Sequence, residues 1–139
     1  MIRSIVVAVM TKTKLPRPTD AELDILRVLW SQGPSTVRDV HGTLEKQRAI
    51  GYTTVLKLMQ IMAEKGLVER DERERAHVYK AALAEEQTQR QLVRHLVERA
   101  FGGSATKLVL QALATEKASA DEIQQMRAML EEFERERQA

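Results

Sequence analysis

The stretch Tyr52–Lys65, YTTVLKLMQIMAEK, followed by Gly66 and then LVERDERERAHVYK, decides the fold. Val55, Leu58, Met59 and Met62 recur at offsets i, i+3, i+4 and i+7, so they share one side of a 3.6-residue helix. The opposite side carries Thr53, Lys57, Gln60 and Glu64, with Leu56 and Ile61 at its flanks. Hydroxyl, ammonium and amide groups can exchange hydrogen bonds with base edges in the major groove, while an apolar back fixes the helix to its domain. By periodicity alone an ordinary amphipathic helix with a solvated face is the more frequent reading. The flanking chain decides between them.

Downstream, Gly66 is a suitable C-cap. Residues 67–70 and 77–81 predict two strands joined by the charged tip Asp71-Glu72-Arg73-Glu74-Arg75. In the second strand His77, Tyr79 and Ala81 fall on one side and Val78 and Lys80 on the other. Upstream, Pro16 and Pro18 keep the chain extended before Thr19-Asp20-Ala21-Glu22, a capping-box pattern. The helix it opens should bury Leu23, Leu26, Leu29 and Trp30, helped by Ile25, and should stop at Gly33-Pro34. Ser35-Thr36-Val37 is a brief extended piece. A second helix follows with Val37, Val40 and Leu44 inward and Thr36 as its cap, and a polar link with Lys46 and Arg48 ends at Gly51. Helix, short strand, helix, helix and hairpin is the order of a winged helix-turn-helix, expected over 19–82, with the third helix in the groove and the hairpin along the backbone.

From residue 83 to 139 the pattern is helical throughout. One stripe uses Leu92, Leu96, Val97 and Ala100 and ends near Phe101-Gly102-Gly103. Ser104 starts another helix with Leu108, Val109, Ala112 and Leu113. Ser119-Ala120-Asp121-Glu122 is a second capping box, and Ile123, Met126, Leu130 and Phe133 follow at 3-4-3 spacing. Three helices with narrow apolar seams enclose little core alone. A second copy of the chain is the economical partner, since a two-fold DNA reader needs two heads. The expected fold class is therefore mainly α, a winged helix-turn-helix domain followed by a helical dimerisation region.

Composition narrows the function further. The 139 residues are 43% hydrophobic and 30% charged, with two Phe, two Tyr and one Trp, so the core must be aliphatic. The absence of cysteine excludes disulfides, thiolate metal sites and a cysteine nucleophile, and permits a reducing cytoplasm, the expected compartment. Residues 1–80 hold 14 Lys/Arg against 10 Asp/Glu, and residues 81–139 hold 8 against 10. A basic first part hints at a polyanion partner. His41, His77 and His95 lie on three different elements, and no metal or cofactor is expected. No phosphate-cradling glycine loop, paired catalytic carboxylates or Ser/His/Asp set stands out, so no enzyme is expected.

The apolar run at 5–10 is too short for a signal segment or a membrane span, and no membrane insertion is expected. A flexible tail is expected over 1–18. It is either disordered or an extension upstream of a start at Met10, and the basic arm TKTKLPRP favours the latter.

Glu22-Leu23-Asp24-Ile25-Leu26 with Trp30, Tyr52-Thr53-Thr54-Val55 with Lys65-Gly66-Leu67-Val68, Tyr79, and Phe101-Gly102-Gly103-Ser104 with Leu108-Val109 resemble the BlaI/MecI family of bacterial repressors, in the wider penicillinase-repressor and CopY group. The resemblance runs from about Thr19 to Phe133. It implies a homodimer whose winged helices bind an inverted-repeat operator, often of TACA/TGTA type, and whose C-terminal helices interlock. It also implies repression of resistance or stress operons, with a membrane metalloprotease sensor pathway leading to repressor cleavage in some members. Three departures stand out. Ile61 occupies a place where the family often has Arg. Val109-Leu110 is followed by Gln111-Ala112 where staphylococcal members have the cleaved Asn-Phe. The cysteine-rich tail of copper-sensing members is missing.

Thr53, Lys57 and Gln60 are the candidates for base-edge contact, and Tyr52 and Thr54 suit a phosphate at the helix start. Thr54, nearer the buried side, fits a local cap or packing role equally well. Arg73 and Arg75 at the wing tip suit phosphates or the minor groove, although the interleaved Glu72 and Glu74 fit a solvated turn too. Arg38, Lys46 and Arg48 are further phosphate candidates. The dimer seam is expected to use Leu92, Leu96, Phe101, Leu108, Leu113, Ile123, Met126, Leu130 and Phe133. The reading from a different class is a helical adaptor that dimerises through 83–139 and uses its winged domain for protein contacts.

Overall fold

The structure is a computed structural model that describes residues 16–139. The run at 5–10 and the choice between Met1 and Met10 lie outside the described residues.

Helix α1, Asp20–Gln32, opens with the expected capping box. The Thr19 hydroxyl accepts from the Glu22 amide at 3.2 Å and the Glu22 carboxylate accepts from the Thr19 amide at 2.9 Å. It ends at Gly33, whose φ of 83° is the left-handed region that favours glycine. Ile25, Leu26, Val28 and Leu29 are buried, whereas Leu23 and Trp30 are only half-buried. The buried stripe is thus rotated from the expected one toward Val28. Trp30 lies at its edge and donates from Nε1 to the Leu83 carbonyl at 3.0 Å.

Strand β1 is Ser35–Thr36, and helix α2, Val37–Glu45, starts one residue earlier than an extended Val37 would allow. Thr36 caps it in a second box with Asp39, each side chain accepting from the other's amide at 3.1 Å. Helix α3 is Tyr52–Lys65, and Gly66 at φ 83° turns the chain out of it.

Strands β2, Val68–Asp71, and β3, Val78–Ala81, form the hairpin. The sheet order is β1-β3-β2, antiparallel throughout, with Tyr79 facing Ser35 on one side and Arg70 on the other. Pairing of Asp71 with Val78 moves the turn to residues 72–77, so His77 lies outside β3 and exposed, not beside Tyr79 as the alternation predicted. Tyr79 itself is 1% exposed and joins the aliphatic core of Ile25, Val40, Leu44, Val55, Met59 and Met62.

Helices α4, Glu85–Ala100, α5, Ala105–Thr115, and α6, Ala120–Gln138, complete the chain. The Ser104 hydroxyl caps α5 by accepting from the Lys107 amide at 3.1 Å, and Ser119 with Glu122 forms the expected box on α6. Gly102 and Gly103, both at positive φ, make the turn between α4 and α5.

The chain divides into two compact units, the first ending at Val93 and the second being Arg94–Ala139. The division falls inside α4, beyond the buried Thr88, while the sheet ends at Ala81. None of residues 94–139 is buried within its unit. Among the described residues no helix is long and apolar enough to cross a membrane.

Candidate nucleic-acid interface

Helix α3 divides cleanly between two environments. Val55, Met59 and Met62 are each 0% exposed, while Thr53, Lys57, Gln60 and Glu64 are exposed along the opposite side. Leu56, Leu58 and Ile61 are half-buried at the margins. Burial of three large aliphatic side chains, each worth roughly 1.5–3 kcal/mol, fixes which side faces out. The outer side therefore presents a hydroxyl, an ammonium, an amide and a carboxylate.

The start of α3 is open as well. Thr54 is exposed, not packed as its place near the apolar side suggested, because the core begins to cover the helix only at Val55. Tyr52 is 45% exposed. Gly51, the N-cap, supplies no side-chain hydrogen bond, so first-turn N–H groups stand beside the hydroxyls of Tyr52, Thr53 and Thr54. The link before it is held by His41 of α2, whose Nε2 lies 2.9 Å from the Ile50 carbonyl oxygen.

The two wing arginines differ. Arg73 folds back onto Asp71, with Nε 3.0 Å from both carboxylate oxygens and an Nη 2.6 Å from one. That hydrogen bonding holds the Asp71 carboxyl down at about 2 and raises the Arg73 guanidinium. Arg70 pairs with Glu72 at 2.7 Å and Lys80 with Glu69 at 3.3 Å. Arg75 is exposed and, among the described residues, takes part in no ion pair. Arg48 reaches Asp24 at 3.2 Å, while Arg38 and Lys46 line a shallow cleft with Gln32, Ser35, Asp39 and Thr43.

One pair was not foreseen from sequence. Glu22, 1% exposed, accepts from Lys65 Nζ through both oxygens, at 3.0 and 2.8 Å. Burial pushes this carboxyl up, but the Lys65 hydrogen bond and charge and the two contacts to Thr19 outweigh it, leaving it below its ordinary value. The only sequence signal was the capping box, which placed Glu22 at a helix start but gave it no distant partner.

In the second unit Leu96, Val109, Leu110, Leu113, Ile123, Met129, Leu130 and Phe133 are exposed at 41–61%, while Phe101, Leu108 and Met126 are half-buried. Leu92, just before that unit, is half-buried too. Among the described residues no three His, Asp or Glu side chains gather in a way that could hold a metal.

The penicillinase repressor family model matches residues 18–132. The chain is 33% identical over 122 residues to the transcriptional regulator BlaI of Mycobacterium tuberculosis, covering 87% of this chain and 88% of that one. It is 24% identical over 119 residues to the penicillinase repressor of Bacillus licheniformis, covering 86% and 93%. Among solved structures, the DNA binding domain of the repressor BlaI aligns with a TM-score of 0.47 at 25% identity, over 52% of this chain and 88% of that domain.

Proposed function

Because the chain belongs to the penicillinase repressor family and is a DNA-binding transcriptional repressor, not an enzyme, we propose that it acts as a homodimer on an inverted-repeat operator, each copy laying α3 in the major groove of one half-site. The observation that carries this reading is the division of α3 between a fully buried back and an exposed front of Thr53, Lys57 and Gln60. Lys57 and Gln60 are three residues apart and Thr53 lies one turn before Lys57, so all three can reach successive base pairs. Tyr52, Thr54 and the first-turn amides serve a phosphate. Arg75 serves the backbone beside the groove, with Arg73 available once it leaves Asp71.

The exposed apolar residues of 94–139 support a second copy as the dimer partner, joined there by Leu92 of the first unit. Side chains as large as Phe133 and Leu130, more than half exposed in a single chain, are costly to leave in water over such a length. Dimer geometry then sets the half-site separation and occludes the promoter. The working compartment is the cytoplasm, where promoters are. A membrane metalloprotease sensor pathway is the proposed input, and cleavage at the bond used by staphylococcal members is not part of the proposal, since Gln111-Ala112 stands where they have Asn-Phe.

Footprinting on the DNA upstream of the protein's own coding sequence tests the proposal. Two protected half-sites about one helical turn or a multiple apart are expected, with affinity falling steeply as salt rises. Protection of a single half-site, or none, overturns it.

A further inference from the structure

Helix α3 is tied to α1 at its far end by an ion pair. Glu22 occupies the third position of α1, and Lys65 is the last residue of α3. Two charge-assisted contacts, at 2.8 and 3.0 Å, join the first turn of one helix to the last turn of the other across 43 positions of sequence, while the Thr19 amide holds the same carboxylate locally at 2.9 Å. Gly66 then turns the chain into the sheet. A carboxylate this buried is costly without its cation, so the ammonium is held at one point and does not sweep like a surface lysine. The Lys65 side chain remains 34% exposed and reaches in from the rim.

We propose that Glu22 and Lys65 are positioning residues for base readout: their ion pair sets the pitch of α3 and hence the angle at which Thr53, Lys57 and Gln60 meet the base edges. This rests on the reading of α3 given above. The fully buried side of α3 itself is two methionines and one valine, and methionine is an unbranched filler that repacks easily, so it settles which side faces in but holds the helix's tilt only weakly. A directional two-oxygen contact supplies what those side chains lack. Base contacts tolerate errors of only about 0.5 Å and 10–20°. Phosphate contacts fix register without reading sequence. Gln60 lies about 7.5 Å along the axis from Lys65, close enough for a tilt at the anchor to misplace it.

The test uses two duplexes, one selected from a random pool by the full wild-type chain and one of scrambled sequence, with affinity measured on both. Lys65→Met should lower the selected-to-scrambled affinity ratio by about tenfold, the order of one lost base contact, while affinity for the scrambled duplex at low salt shifts by no more than about threefold, the order of one lost charge. Lys65→Arg, which keeps a cation for Glu22, should hold the ratio near wild type. The double variant Glu22→Gln/Lys65→Met removes the stranded carboxylate; its thermal midpoint should recover while its ratio stays low. A double variant with midpoint and ratio both restored overturns the proposal, because the pair would then matter for stability alone. Gln60→Ala separates the two possible failures. If it lowers the ratio and Lys65→Met does not, positioning fails; if neither does, α3 is not the reader.

Discussion

The imidazole of His41 stands edge-on to the ring of Tyr52, with centroids 5.7 Å apart and planes at 83°. The same ring reaches the carbonyl oxygen of Ile50 through Nε2 at 2.9 Å. Two contacts from one side chain therefore brace the residues on either side of Gly51, where α3 has no side-chain cap. The link before them, residues 46–49, is exposed throughout, with Arg48 reaching Asp24 from its surface.

Replacing His41 by Ala should loosen this start without melting the domain. Loss of one hydrogen bond and one edge-to-face contact costs about 1–2 kcal/mol in urea unfolding. Amide hydrogen exchange should quicken at residues 50–55, ahead of any change in α1, and operator affinity should fall several-fold. Uniform exchange across both helices would mean that His41 supports the whole domain and has no special part in the start of α3.

Acid should weaken the first unit through Glu22. Its folded carboxyl sits below the ordinary 4.5, so the folded state favours the charged form. The stability this contributes is complete above about 4.5 and is lost as pH falls through the lower, folded value. Urea unfolding followed by Trp30 fluorescence checks this. The wild type should lose stability more steeply below that pH than Glu22→Gln, which has no proton to take up there. Parallel curves for the two proteins would assign the acid response to other carboxylates.

Local rules carried most of this fold. Capping boxes at Thr19 and Ser119, the Gly66 cap and the buried Val55, Met59 and Met62 of α3 are written in neighbouring residues, and they appear where the spacing puts them. What local pattern could not show was long-range pairing. Glu22 carries one sequence signal and two partners, one of them 43 positions away. Arg73 and Arg75 look alike on paper, yet the backbone just past β2 folds Arg73 back onto Asp71, two residues before it. His77 fell off the strand because Asp71 took the pairing place opposite Val78, a choice of register and not of propensity. Periodicity marks the C-terminal apolar residues but does not say what covers them, since in a single chain most of them stay exposed.

The wing arginines should differ in their salt response. Arg75 is unpaired among the described residues, so Arg75→Ala should reduce the slope of log affinity against log salt by about one. Arg73 must first leave Asp71, whose carboxyl stays charged down to about 2. Arg73→Ala should change the slope by less. Asp71→Asn should free Arg73 and steepen the slope, and a subsequent Arg73→Ala on that background should then cost the full unit. Equal slopes for the two single arginine variants would mean that the Asp71 contact opens freely in solution.

The seam of α6 gives the most direct check on assembly. Leu130 is 61% exposed in a single chain, so a glutamate there removes little packing from the folded monomer. If two chains meet along Ile123, Met126, Leu130 and Phe133, the same glutamate brings an unpaired charge into an apolar interface and should dissociate the dimer. Sedimentation of Leu130→Glu should then report one chain where the wild type reports two, and affinity for a two-half-site duplex should fall by at least about 10²-fold as linkage between the heads is lost. The thermal midpoint followed at Trp30 should lose its dependence on protein concentration. Gln124→Glu adds the same charge to α6 beside the seam and should leave the two-chain species intact. A wild-type protein that sediments as one chain at working concentration would remove the dimer, and with it the two-headed operator.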